Sequence, residues 1–235
     1  MKWDYFENLN PKAFREIIEK YPIAYLPFGA YEWHGEALPF GTDTFRVRHV
    51  AAEVARIMGG IVLPSVWGTD IERQRQGKTL WGMETFALEP LDGNACMLSS
   101  STFKKVVQEM LLSCRHMGFK LAVLLTGHAA VNQETILREA VLDAQKKKLI
   151  SALYENFYSI YHPSPENDQH GGAAEVAEIL VLNPKLVKLK RFASDPRDQK
   201  TGLAKSQMKE ASVSFGKKLL KEQVDGIVKK MRDRK

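Results

Sequence analysis

Cysteine is nearly missing from this chain: Cys96 and Cys114 are the only two in 235 residues. They are too few for a disulfide framework and do not form a Cys-x-x-Cys pair, so a disulfide-stapled secreted fold does not fit. Long apolar runs are missing as well. The most apolar stretches, 23–31 and 121–126, are far shorter than the roughly 20 residues that span a bilayer. Asp4 and Glu7 stand where a secretory leader would need an apolar core. The expectation is therefore a cytoplasmic protein with no membrane partner. The sequence also lacks a Gly-x-Ser-x-Gly elbow, which disfavours a serine hydrolase. The glycine spacing of a dinucleotide fingerprint is absent too.

What remains is ordinary for a globular enzyme-sized chain, with 44% hydrophobic and 26% charged residues, far from the composition of a disordered protein. A chain of this size buries roughly 70% of its unfolded surface and needs no staple to fold. The net charge of +6 is unevenly placed: the segment from Lys217 onward carries +5 and the preceding 216 residues only +1. No zinc-finger spacing or RNA-binding aromatic signature accompanies that basic tail, so it reads as a solvated helical face rather than a nucleic-acid surface.

Periodicity gives alternating helices and strands. Asn10 caps a first helix with Pro11 in its first turn, and Pro22 ends it. Buried strands are expected at Ile23–Phe28, 61–66, 121–125 and 149–156, and helices at 44–58, 99–117, 132–147 and Ala173–Leu182, with a basic helix from 207 onward. The stretch 67–93 reads as a long irregular segment of the kind that is often functional. This pattern predicts one α/β domain over 1–235, with a largely parallel sheet covered on both faces. Sites in such sheets gather at the carboxyl ends of strands. Three polar segments fall there: 29–43, 126–132 and the loop before His170.

The first of these reads Gly-Ala-Tyr-Glu-Trp-His-Gly-Glu-Ala-Leu-Pro-Phe-Gly-Thr-Asp and holds Glu32, His34 and Asp43. Glu32 and His34 alternate, so an extended backbone projects both to one side. Gly35, Pro39 and Gly41 let the chain fold back towards Asp43. Mixed imidazole and carboxylate donors suit Zn²⁺, Mn²⁺ or Fe²⁺. His49 and His116 lie in helical patterns and read as surface or structural histidines, with His162 a second-line site candidate. Arg73, Arg75 and Lys78 could hold an anionic substrate, or simply form a solvated loop face.

This loop resembles the creatininase family motif, roughly G-S-x-E-Q-H-G-x-H-L-P-x-x-T-D. The likeness continues at Thr126-Gly127-His128-Ala129-Ala130 and at His170-Gly171-Gly172-Ala173-Ala174-Glu175, in family order. The resemblance implies a three-layer α/β/α sandwich, a homo-oligomer (commonly a hexamer), and one or two divalent ions that hydrolyse C–N bonds in small molecules. It assigns Glu32 and His128 to one ion, His34 to the other, and Asp43 as the bridge. The second ion needs another carboxylate. Creatininase places it two residues after the histidine equivalent to His128, where this chain has Ala130, so Glu175 is the substitute; a mononuclear site is the alternative. His170 becomes the candidate proton donor to the leaving group. Glu36 is a candidate for orienting substrate or a ligand imidazole, against the plain alternative of a surface charge.

Ala37, Thr126, Ala129 and Ala130 depart from the family pattern, and 163–169 carries no aromatic residue to sandwich a creatinine ring. The expected substrate is therefore a cyclic amide, formamide or lactam other than creatinine, or a cyclic dicarbonyl opened by the same hydrolytic attack. The alternative is a non-catalytic metal-containing sensor or assembly subunit.

Overall fold

A computed structural model describes residues 1–94, 97–157, 170–201, 208 and 211–234. Its sheet is built from β1 (Trp3–Tyr5), β2 (Ile23–Phe28), β3 (Gly60–Val62), β6 (Leu121–Thr126) and β7 (Ser151–Asn156). The strand order is β1-β3-β2-β6-β7, and every pairing is parallel. A separate antiparallel hairpin joins β4 (Glu72–Arg75) to β5 (Lys78–Trp81).

Alternation along the strands sorts side chains to the two faces. Ala24, Leu26 and Phe28 of β2, with Ala122 and Leu124 of β6, face one apolar cluster. It is completed by α1 (Pro11–Lys20), α4 (Ser100–His116) and α5 (Val131–Lys146). Tyr25, Val123 and Leu125 face the other, packed by α2 (Thr42–Met58) and α8 (Val213–Arg232). The α6 helix (Ala173–Leu182) leans on α2 and α8. This is the expected three-layer α/β/α sandwich with a parallel sheet. Each fully buried Leu or Phe in these layers contributes on the order of 1.5–3 kcal/mol.

Local chemistry sets the helix starts. Asn10 accepts from the amides of Lys12 and Ala13 at 3.1 and 3.0 Å, and Ser99 accepts from Thr102 at 3.3 Å. Gly29 follows β2, and a Cβ there would come within 2.7 Å of the Thr44 amide nitrogen. Only glycine lets the end of β2 approach the first turn of α2 this closely.

Several boundaries differ from the sequence expectation. The α2 helix begins at Thr42, which draws Asp43 into its first turn. The β3 strand stops at Val62, because Pro64 has no amide to extend the ladder. The 67–93 stretch is not wholly irregular: it contains the hairpin and a short helix, α3 (Glu84–Ala87). Gln76 and Gly77 both have positive φ (49° and 74°), the backbone that tight hairpin turns require. The basic helix starts at Val213 behind a Ser212 cap, later than 207. Another short helix, α7 (Asp198–Thr201), contacts α3. Among the described residues, no helix is long and apolar enough to cross a membrane.

Candidate metal centre

The carboxyl ends of β2 and β6 point at one buried cluster. After β2 the chain turns back through an amide of Glu32 that donates to Phe40 O at 3.1 Å. This turn puts Glu32, His34 and Asp43 together, with each side chain at most 3% exposed. Asp43 sits in the first turn of α2, where the helix dipole favours an anion. His128 follows β6 and is fixed by Thr126, whose hydroxyl donates to His128 O at 3.0 Å. The side chain of Gln133 on α5 donates in turn to that hydroxyl at 2.9 Å. Glu175 occupies the first turn of α6 and accepts from the Gly171 amide at 2.7 Å.

Two donor sets share Asp43. Glu32, Asp43 and His128 form one, with His128 Nδ1 2.8 Å from Glu32 Oε1 and 3.2 Å from Asp43 Oδ2. His34, Asp43 and Glu175 form the other, with His34 Nε2 3.4 Å from Asp43 Oδ1 and 3.7 Å from Glu175 Oε2. The ring of His34 donates from Nδ1 to Glu32 O at 3.0 Å. That bond keeps one ring proton on Nδ1, so Nε2, a buried nitrogen with no hydrogen-bond partner, is the atom that would offer a lone pair to a cation once its own proton leaves. A buried imidazole nitrogen aimed between two carboxylates suits a divalent cation, which would take the place of its proton.

The electrostatics agree. Burial alone would lower the pKa of His34, but the Asp43 and Glu175 carboxylates override it and raise it to about 9. Burial would likewise lower His128, and Glu32 and Asp43 hold it well above the usual range. Burial works the opposite way on Asp43, yet the two imidazoles carry it well below the usual carboxylate range. Glu175 is lowered as well, with Arg46 and His34 outweighing its burial. The cluster thus draws in positive charge, which bound protons supply in the metal-free protein.

His170 stacks on His34 with ring centroids 4.2 Å apart, and is the more exposed of the two. Its Nε2 donates to Trp33 O, and its Nδ1 lies 3.9 Å from Glu32 Oε1. Glu36 is not brought into the cluster. Its side chain is 41% exposed and lies 3.9 Å from Arg191. Cys96, His162 and 163–169 lie outside the described residues.

The cluster opens into a cavity of about 420 Å³. Glu32, Asp43, His128, His170 and Glu175 line its polar end, and Ile71, Met83, Phe86 and Val131 its apolar wall. Arg73, Arg75 and Lys78 are exposed on the hairpin and do not line it. His116 is exposed, and His49 lines a different groove.

Two features escaped the sequence reading. Asp70 is 7% exposed, lines the cavity and lies 3.5 Å from His128 Nε2; burial pushes its pKa up to about 6. Arg46 is buried behind the cluster, paired with Glu178 and donating to Glu175 Oε1 at 2.7 Å. The only sequence sign of Asp70 was its place in the long stretch already marked as functional.

The chain is similar to known proteins over most of its length. It is 24% identical over 177 residues to a 3-dehydro-scyllo-inosose hydrolase of Thermotoga maritima, a match covering 74% of this chain. That match spans only about half (51%) of the relative's length. It is 27% identical over 190 residues to a creatinine amidohydrolase of Pseudomonas putida, covering 74% of this chain and 69% of that protein. A crystal structure of creatinine amidohydrolase (creatininase) superimposes with a TM-score of 0.77 at 20% identity, covering 97% of this chain and 96% of the other. Creatininase structures of a Zn–Zn type and with Mn share this likeness. The family model described as creatinine amidohydrolase matches residues 7–231, and the chain therefore belongs to the creatininase family.

Proposed function

We propose that this chain is a metal-dependent hydrolase in which water attacks a carbonyl carbon and the adjoining bond breaks, the C–N bond of a small cyclic amide, formamide or lactam, or the ring C–C bond of a cyclic dicarbonyl. The observation that carries this reading is the sharing of Asp43 between two donor sets, one of which ends in a buried, unpartnered imidazole nitrogen. Glu32, Asp43 and His128 would hold one divalent ion, and His34, Asp43 and Glu175 a second; zinc, manganese or iron suits these donors. Such an ion, when bound, lowers the pKa of its water towards about 7 and polarises a carbonyl oxygen.

The side chains do the rest. His170 keeps its Nε2 proton engaged with Trp33 O, so Nδ1 is the atom that would accept a proton from the attacking water and pass it to the departing nitrogen or carbon. Stacking on His34 fixes the plane of that ring against the cluster. The apolar wall of Ile71, Met83 and Phe86 receives the body of the substrate and keeps bulk water off the reacting carbonyl. Relatives that act on creatinine and on 3-dehydro-scyllo-inosose support hydrolysis as the reaction class and leave the substrate to this wall. The departures at Ala129 and Ala130, both lining the cavity, argue against creatinine. An open cavity over the donors also favours a catalyst over a sealed sensor site.

The test is metal content and turnover in wild type and Asp43→Ala, screened against cyclic amides, formamides and cyclic dicarbonyls. Loss of both metal and turnover in Asp43→Ala is expected. Full activity in a metal-free Asp43→Ala protein would sink the reading.

A further inference from the structure

The geometry points to Asp70 as the positioning residue for His128, selecting which of its two ring nitrogens carries the proton. This inference rests on the metal reading above. His128 lies between two sets of acids. Its Nδ1 faces Glu32 and Asp43, and its Nε2, buried and without a hydrogen-bond partner, lies 3.5 Å from Asp70 Oδ2. For Nδ1 to offer a lone pair to a cation, the ring proton must reside on Nε2. An anionic acceptor on that side favours this tautomer and makes Nδ1 more basic.

Asp70 is built into place rather than left on a free loop. Its backbone carbonyl accepts from Asn132 Nδ2 at 3.2 Å, and the preceding Thr69 amide donates to Gln133 Oε1 at 3.0 Å. Both partners are on α5, directly after the His128 turn, so Asp70 and His128 are held by the same helix start. The other carboxylate oxygen, Oδ1, accepts from the Ile71 amide at 2.5 Å, which leaves Oδ2 for the histidine. Gly82 makes room for it: with φ at +50°, a Cβ there would come 2.6 Å from Asp70 Oδ2 and 3.4 Å from Glu32 Oε2. The long 67–93 stretch thus sends one carboxylate into the metal cluster, from a position that no ligand motif marks.

The Ile71 amide makes the test sharp. In Asp70→Asn the single carbonyl oxygen is claimed by that amide, and the NH₂ group turns to His128. Two donors cannot face each other, so His128 must move its proton to Nδ1, where the cation needs the lone pair. Asp70→Ala imposes no such tautomer. A purely space-filling role predicts the reverse order, because asparagine keeps the shape of aspartate and alanine does not.

The experiment is Zn²⁺ affinity by competition with a chromogenic chelator for wild type, Asp70→Asn and Asp70→Ala. It is joined by ¹⁵N NMR of the histidine side chains in the Zn²⁺-loaded wild type. Expected are a loss of about 10–100-fold in Asp70→Asn, at least as large as in Asp70→Ala, and a protonated Nε2 on His128 in wild type. Affinity of Asp70→Asn within about twofold of wild type, or a wild-type His128 protonated on Nδ1, overturns the assignment. A wild type that takes up no Zn²⁺, Mn²⁺ or Fe²⁺ overturns the metal reading itself, an outcome distinct from failure of the Asp70 assignment alone. The wild-type spectrum decides the point even if a variant folds poorly.

Discussion

Arg46 on α2 and Glu178 on α6 form an ion pair directly behind the proposed metal centre, with the two side chains 2% and 0% exposed. Gln223 on α8 donates to the second oxygen of Glu178 at 2.6 Å, and Arg46 reaches forward to Glu175 Oε1 at 2.7 Å and Asp43 Oδ1 at 3.5 Å. A polar chain therefore runs from the last helix to the cluster. It holds one oxygen of Glu175 so that the other faces His34.

Breaking that pair from one side leaves a buried, uncompensated charge, which costs about 3–5 kcal/mol. Arg46→Met is expected to lower the stability of the metal-free protein by about that amount in urea unfolding. The double variant Arg46→Met/Glu178→Leu removes both charges of this pair and should recover part of the loss, since Glu175 lacks its Arg46 partner in both proteins. A double variant as unstable as the single one would show that the pair is not the cause.

Glu175 is the donor that the resemblance does not supply directly, because the matching motif position is Ala130 here. Its Oε2 lies 3.7 Å from His34 Nε2, and its other oxygen is held by Arg46. Elemental analysis of protein purified without chelator or a histidine tag is expected to give about two ions per chain, and about one in Glu175→Ala. One ion per chain in both proteins would reduce the centre to Glu32, Asp43 and His128.

The protons that satisfy this cluster in the absence of metal must leave when metal binds. His34 has its pKa raised to about 9 in the folded protein, against about 6.5 unfolded. Its charge therefore contributes stability to the metal-free fold that is complete below about pH 6.5 and is lost as pH rises through about 9. Metal binding runs the other way, since a ligand imidazole must be neutral. Apparent Zn²⁺ affinity is expected to climb between pH 6.5 and 9 and then level off, with proton release visible as a buffer-dependent enthalpy in calorimetry. Affinity that is flat across this range would mean that His34 is not a ligand.

How much of this was legible in the sequence depended on how local each signal was. Glu32, His34 and Asp43 lie in one short loop after a largely buried strand, so residue types and spacing single them out without the family motif. Asp70 and His128 meet only because Thr69 and Asp70 are tied to Asn132 and Gln133, a tertiary contact with no local trace. Arg46 stands on the inward side of α2, beside apolar Val47 and Val50, where helical periodicity anticipates another apolar side chain; its partners are on a distant helix. The β1 strand escaped because it is a three-residue edge strand with Asp4 at its centre. The β4 strand escaped because all four of its residues are exposed, which leaves no alternation to read.

The same 67–93 segment offers two ways of holding a substrate, and they predict different outcomes. Arg73, Arg75 and Lys78 suit an anionic ligand but are exposed on the hairpin and do not line the cavity. Phe86, 54% exposed, lines the cavity beside Met83 and Ile71. Among the described residues no lysine or arginine lines the cavity, so the described wall offers a substrate apolar contact rather than positive charge. Covering part of an aromatic ring with substrate is worth about 1–2 kcal/mol, so Phe86→Ala should raise KM by roughly tenfold. Replacing Arg73, Arg75 and Lys78 together by serine should leave KM within about twofold, because exposed charges that do not touch the ligand are screened by solvent and salt. Steady-state kinetics on a substrate found in the amide and dicarbonyl screen decides between them. A KM that responds to the three charges and ignores Phe86 would move the substrate out of the cavity and onto the hairpin.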